Sequence, residues 1–215
     1  MNSRIVTLCL AALFFTSIGI AADDAPTLKK VIPTNDTQFA RAFSEDRQAA
    51  TLLFDNLQIS TEAFRHSLPN VVTKKFTFVM QPESMKDVLV TQDIRGFVSL
   101  ANTGKAALLI QSGGKSTLVD LKEAIKSAEG NKAAADRPTY QAALKLAKDA
   151  GFDVGTTPMG SNDFFQRVET CVPAGKPLQI TVLLLVEALS GDETSNALLT
   201  IDTIDLEVKV APEKK

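Results

Sequence analysis

Four aspartates stand at strand-like positions where carboxylates could do chemistry: Asp55 in Leu53-Phe54-Asp55-Asn56-Leu57, Asp93 in Gln92-Asp93-Ile94-Arg95-Gly96, and Asp202 and Asp205 in Ile201-Asp202-Thr203-Ile204-Asp205-Leu206. Acids gathered at one end of a β-structure can serve as oxygen ligands for calcium or as the paired carboxyls of a hydrolase. They can equally be structural, paired with an arginine such as Arg95 or capping turns, because a buried charge needs a partner. On the structural reading Asp55, Arg95, Gly96, Cys171 and Asp202 hold the fold; on the metal reading Asp55, Asp93, Asp202 and Asp205 are the candidate ligands.

Other chemistry is poorly provided for. The chain has one histidine, His66, and two cysteines, too few for a classical zinc finger. Gly113-Gly114 lacks the Lys-Thr that follows a phosphate loop, and no G-x-S-x-G elbow accompanies His66. No tryptophan and one tyrosine leave little material for sugar-stacking platforms, although Phe is plentiful at 12. The sequence therefore implies no catalytic group and no cofactor, with calcium as the one exception. The expected role is a non-enzymatic binding or structural module of the cell envelope or extracellular space, with a glycan or protein as ligand. The alternative is a hydrolase or calcium-dependent carbohydrate-active protein using the strand-end aspartates.

The elements that would position these residues follow a short leader. Met1–Arg4 carries one positive charge, Ile5–Ile20 is mostly apolar, and small residues around Ala21-Ala22 suit a signal peptidase. Residues 1–22 thus read as a signal peptide, and the destination as secreted or periplasmic. Removing 22 of 215 residues leaves 193, one domain's worth. The 23 basic residues lose Arg4 and become 22 against 25 acids, a net charge of −3 that gives nucleic acid no purchase. No later apolar run is long enough to span a membrane. Cys9 leaves with the leader, so Cys171 cannot form an internal disulfide, and its apolar strand setting suggests a buried, inert thiol. Asn35-Asp36-Thr37 matches a glycosylation pattern.

Residues 23–36 read as a loose lead-in segment and 37–210 as one mainly β domain, an antiparallel β-sandwich of jelly-roll type, with a frayed tail at 211–215. Thr37–Phe43 and Ala49–Ile59 form a hairpin. Val72–Met80 alternates with Phe76, Phe78 and Met80 inward. Gln81–Ser84 turns the chain, and Lys86–Thr91 and Arg95–Leu100 are strands, or one strand bent at Gly96. Lys105–Gln111 answers as hairpin partner after a turn at Ala101–Gly104. Two amphipathic helices fill an insertion at 116–151. Leu118, Leu121, Ile125 and Ala128 mark the first, unless Leu118–Leu121 finishes a strand. Tyr140, Leu144 and Ala147 mark the second, with Asp136 as cap and Gly151 as stop. Phe164–Val172, Leu178–Leu189 and Leu198–Val210 complete the sandwich. The second of these is apolar enough to be central and buried on both faces, and a polar hairpin loop, Ser190–Asn196, links it to the third.

The order of four short motifs resembles a family of small secreted β-sandwich proteins, domain-of-unknown-function family 4360. Its members run Phe-Asp-Asn-Phe, Asp-Tyr-Arg-Gly, a Ser-Pro-Cys-Gly turn and Val-Asp-Ser-Ile-Asp. Here the matching positions are Phe54-Asp55-Asn56-Leu57, Asp93-Ile94-Arg95-Gly96, Glu169-Thr170-Cys171-Val172 and Ile201-Asp202-Thr203-Ile204-Asp205. The resemblance implies a secreted β-sandwich without an assigned activity. The chain departs from it in lacking the cysteine expected in Lys74–Phe78 and in its helical segment Ser116–Gly151.

Overall fold

The computed structural model of the protein describes residues 25–34, 37–61, 70–124, 137–152, 162–188 and 195–213. The expected leader, Asn35 of the glycosylation pattern, His66 and the expected cap Asp136 lie outside them. The strands are β1 (Thr27–Pro33), β2 (Phe39–Phe43), β3 (Ala49–Ser60), β4 (Asn70–Glu83), β5 (Val88–Ala101), β6 (Lys105–Ser112), β7 (Lys115–Asp120), β8 (Asp163–Val172), β9 (Leu178–Ala188) and β10 (Asn196–Val210). Two helices, α1 (Leu121–Ala124) and α2 (Pro138–Asp149), fall between β7 and β8. The strands form two five-stranded sheets, ordered β1-β4-β9-β6-β7 and β2-β3-β10-β5-β8.

The topology is a rolled hairpin. The chain runs out through β3, β4, β5 and β6, reverses, and returns through β7 to β10. Each returning strand pairs antiparallel with its outgoing counterpart: β7 with β6, β8 with β5, β9 with β4, β10 with β3. Rolling the ribbon adds the β10–β5 and β9–β6 pairings and closes two sheets over one core, the jelly-roll order. The reversal point is Gly113-Gly114, with φ of 57° and 79°, the left-handed pair that a two-residue hairpin requires.

Alternation fills the interior as expected along β4, where Phe76, Phe78 and Met80 are fully buried. Phe39, Phe54, Phe76 and Phe78 form an aromatic chain with centroids 5.0–6.4 Å apart. A polar bridge ties the sheets near the reversal point: Gln92 Nε2 (β5) and Thr170 Oγ1 (β8) donate to Ser112 Oγ (β6) at 2.9 and 2.8 Å. The β2–β3 hairpin forms as read.

Several expectations need correction. Residues 27–33 are a strand, not a loose lead-in. Leu28 and Val31 are both fully buried although three apart, because a bulge between Leu28 and Lys30 breaks the period of two. Arg47, at φ 56°, clamps this edge by donating to Leu28 O (2.8 and 3.0 Å) and Lys29 O (2.8 Å). Gln81, Pro82 and Glu83 continue β4, where Pro82 stands opposite Leu28 of β1. Of the two readings of 86–100, the single long strand through Gly96 is the one observed, β5. It does not pair with β6: the turn at Ala101–Gly104 carries the chain to the other sheet. The chain likewise changes sheets between β9 and β10, so these are not hairpin partners either.

Of the two readings of Leu118–Leu121, the strand is the one observed, so the first expected helix begins later. β7 takes Lys115–Asp120 because β6, just across the Gly-Gly turn, offers an open ladder. Among the described residues α1 covers Leu121–Ala124; the expected helix positions Ile125 and Ala128 lie outside them. β9 is central, but its outer face is only half-buried at Leu183 and Leu185, and neighbouring Leu118 is 73% exposed. Cys171 is exposed, on the outward side of β8, not buried.

α2 lies against β2 and β3 on the outer face of the second sheet. Its Ala143 and Ala147, fully buried, meet Ala40, Ala42 and Leu53; Tyr140 and Leu144 flank them. Small residues on both sides let helix and sheet approach closely. The helix stops as read, at Gly151 (φ 76°), where Gly151 N–H donates to Lys148 O (3.0 Å) and Phe152 N–H to Ala147 O (2.9 Å).

Gly96 is where β5 passes tightest. A Cβ there would collide with Thr200 O and sit 2.9–3.0 Å from the Phe164 ring. Neither neighbour can yield, since Thr200 is backbone of the central strand β10 and Phe164 is fully buried. Gly96→Ala should therefore cost about 3 kcal/mol or more in urea unfolding, well beyond an ordinary surface substitution.

Candidate functional site

Lateral register assembles a polar row on the outer face of the second sheet. Asp205 (β10) stands opposite Thr51 (β3) on one side and Asp93 (β5) on the other; Asp93 in turn faces Arg167 (β8). Two residues along the same face come Leu53, Thr203, Arg95 and Phe165. Two neighbouring carboxylates, each about 5% exposed, would repel strongly without a cation.

Arg95 supplies it. Its Nη1 donates to Asp205 Oδ2, and its Nη2 lies 3.4 Å from Asp93 Oδ2. Arg167 grips Asp93 in bidentate fashion, Nε to Oδ1 at 2.7 Å and Nη2 to Oδ2 at 2.9 Å. Thr51 donates to Asp205 Oδ1 and lies 2.9 Å from the Thr139 hydroxyl. A hydroxyl has one proton, so Thr139 donates to Thr51 in turn. Arg137, just before α2, approaches both acids at longer range: 3.6 Å to Asp93 and 3.4 Å to Asp205. Burial lowers the Arg95 pKa from its ordinary value, against the pull of Asp205. Arg95 Nε has no hydrogen-bond partner among the described residues. Its guanidinium centre lies 5.1 Å from the centroid of the Phe165 ring, and that of Arg167 lies 5.8 Å from it.

A cleft of about 710 Å³ opens beside this cluster, between the 44–48 turn, the N-terminus of α2, and β5 and β10. Asp93 and Asp205 form its floor, Arg137 one wall, and Ser44, Thr91 and Glu207 other parts of the lining. The turn is stiffened by Asp46, which accepts from Ser44 Oγ at 2.6 Å and Gln48 N–H at 3.0 Å. The Ser44 bond, then that from Gln48, hold the Asp46 carboxyl below its usual range.

Of the residues singled out in the sequence, Asp93, Arg95 and Asp205 meet directly. Asp202 is the extra residue of a bulge in β10 between Ile201 and Thr203. Burial first, then Asp163, push its carboxyl up to about 7. Burial, then the charges of Asp202 and Asp205, raise Tyr140. Asp55 is exposed on β3, beside Asn56 at φ 49°. The four aspartates therefore do not converge, and among the described residues no three His, Cys, Asp or Glu side chains are grouped to hold a metal ion. Calcium at Asp93 and Asp205 would have to displace three guanidiniums. Arg137, Arg167, Thr51 and Thr139 escaped the sequence reading. The alternation Phe165-x-Arg167-x-Glu169 placed Arg167 on a face but could not say which strand lay opposite.

Neither a protein-family model nor a curated protein matches the sequence. Among solved structures, the chain is similar to a family GH115 4-O-methyl-α-glucuronidase with specificity for decorated arabinogalactans (11% identity, TM-score 0.35). That match covers 86% of this chain and only 18% of the glucuronidase. It is also similar to the carbohydrate-binding module TmCBM61 in complex with β-1,4-galactotriose (11% identity, TM-score 0.28), over 85% of this chain and 88% of the module. At such values neither likeness transfers a ligand or a residue role.

Two outcomes follow from the geometry. Asp205→Ala strands Arg95 in a buried setting and should cost about 3–5 kcal/mol in urea unfolding; Asp55→Asn, on an exposed side chain, should cost less than about 1 kcal/mol. The second concerns pH. Unfolded Asp titrates near 3.8, whereas folded Asp202 holds its proton to about 7. The folded state binds that proton more tightly, so this residue's contribution is most favourable below about pH 4 and is lost as pH rises to about 7. Asp202→Asn should leave stability at pH 4 unchanged and raise it at pH 8 by on the order of 2 kcal/mol, partial exposure trimming the effect.

Proposed function

We propose that the protein is an exported, non-catalytic binding module whose ligand is a saccharide held in the cleft beside Arg137. Its kinship with the secreted family whose motif order it shares belongs to the same proposal. The observation that carries this reading is the division of labour among the three arginines. Arg95 and Arg167 commit short bonds to Asp93 and Asp205, whereas Arg137, 39% exposed, stands 3.4–3.6 Å from them with donors to spare. Around it, Glu207, with Oε1 held by Lys209, offers Oε2 as an acceptor and Thr91 offers a hydroxyl. Such a mixture of donors and acceptors suits the hydroxyls of a sugar. All four carboxylate oxygens of Asp93 and Asp205 are engaged by cations or Thr51, a poor arrangement for a nucleophile or a proton donor.

One observation favours a hydrolase instead. Asp202, with its carboxyl up at about 7, has the protonation behaviour of a general acid, with Asp163 as nearby carboxylate. Release of reducing ends from a glycan by the wild type, lost in Asp202→Asn, would establish that reading.

Thermal unfolding across a polysaccharide panel, with and without calcium, tests the binding reading. At a hundredfold excess over Kd, the right glycan should raise Tm by roughly 5–10 °C. Arg137→Ala should abolish the shift while leaving the unliganded Tm nearly in place. If no glycan shifts the wild type, or Arg137→Ala responds as the wild type does, the saccharide cleft is wrong.

A further inference from the structure

Among the described residues β8 ends its sheet, with β5 as its one neighbouring strand. Val98 N–H donates to Asn162 O at 3.0 Å, which fixes which β8 residues bond inward. In an antiparallel ladder these alternate, so residues 164, 166, 168, 170 and 172 pair with β5. The N–H and C=O groups of Phe165, Arg167, Glu169 and Cys171 then point to the open edge. The same four side chains occupy the outer face of the sheet, with Arg167, Glu169 and Cys171 exposed. On this edge Arg167 O accepts from Gln166 Nε2 at 2.8 Å, a bond that strand pairing would replace; β1, an edge of the opposite sheet, is held more firmly, clamped by Arg47.

The edge is self-complementary in one register. We propose that β8 is a homodimer interface, two copies pairing antiparallel about a twofold axis at Val168. Arg167, with Nη1 not used in its grip on Asp93, then stands opposite Glu169 of the second copy, and Glu169 opposite its Arg167, giving two cross-strand ion pairs. Phe165 stands opposite Cys171 of the second copy, a sulfur–aromatic contact at each end. Inward, Val168 meets its own copy and Phe164 meets Val172, apolar against apolar. Neighbouring registers fail on charge. An axis at Arg167 opposes two guanidiniums, an axis at Glu169 two carboxylates, an axis at Gln166 sets Glu169 against Asp163, and an axis at Thr170 leaves both charges unpaired, Arg167 opposite Pro173 and Glu169 opposite Cys171. The residues that open outward are also those that pair, Arg167 with Glu169 and Phe165 with Cys171, so each couple exchanges backbone hydrogen bonds as well. The second sheet becomes continuous across the dimer. Cys171 faces Phe165 rather than another Cys171, so the dimer forms without a disulfide.

Directly opposite, hydrogen-bonded residues have Cα atoms about 5.5 Å apart, within disulfide reach. Phe165→Cys should therefore cross-link to native Cys171 of the second copy on mild oxidation, giving a covalent dimer on a non-reducing gel. The two positions are six residues apart on one strand, too far to bond within a chain. Phe165→Cys combined with Cys171→Ser, and Glu169→Cys with Cys171 retained, should not cross-link. By sedimentation the wild type should run at twice the monomer mass with or without reductant. Glu169→Lys, which sets two like charges opposite each other, should run as a monomer with unchanged circular dichroism. A wild type that sediments as a monomer overturns the proposal, as does a dimer that survives Glu169→Lys. If the dimer exists but Phe165→Cys does not cross-link, or Glu169→Cys cross-links equally well, the register at Val168 is wrong.

Discussion

Two carboxylates directly opposite one another on buried strands cannot stand without a cation between them. Asp93 and Asp205 impose that requirement, and Arg95, two residues along β5 on the same face, meets it. Removing such charges from water is costly, and only a dense set of hydrogen bonds offsets the cost. The cluster therefore draws in its neighbours: Arg167 from β8, Thr51 from β3, and Thr139 and Arg137 from the start of α2. Four strands and a helix are tied to one polar knot. The position of α2, and with it the wall of the cleft, depends on it.

The two ends of α2 are held by different physics. At its N-terminus the contacts are polar and directional, through Thr139 and Arg137. Along its middle, Ala143 and Ala147 lie on Ala40, Ala42 and Leu53, a close apolar fit with no directional preference. Directional contacts fix the orientation of the helix, and apolar ones its distance from the sheet. Arg137 sits where both constraints meet, placed by the helix yet not consumed by the cluster. That is what distinguishes it from Arg95 and Arg167 as a group able to meet a ligand in the cleft.

Much of this was legible in the sequence wherever period and burial agree. Phe76, Phe78 and Met80 announce their strand by alternation, and Gly151 announces the end of α2. β1 was missed because a bulge puts Leu28 and Val31, three apart, on the same face. The helical spacing of Leu118 and Leu121 leaves β7 between helix and strand, and the open ladder of β6 captured the segment. Register was the deeper obstacle. Asp93, Arg95 and Asp205 were all noticed, but nothing in one chain's spacing says that position 93 faces 205 and 167 at once. Nor could local pattern reveal that β5 and β6, joined by a tight turn, belong to different sheets. The rolled hairpin couples residues far apart in sequence, and its partners are visible only once the roll is complete.

The most direct measurement is a double-mutant cycle on Arg95 and Asp205, using Arg95→Met, Asp205→Asn and the two together, read by urea unfolding. If the pair is the tie described here, each single variant leaves a buried charge or dipole unmatched. The double variant then recovers part of the loss, with a coupling of about 2–3 kcal/mol. A coupling below about 0.5 kcal/mol, with losses that simply add, would mean that the two side chains are neighbours without depending on each other. The polar knot would then not be what holds helix, sheet and cleft together.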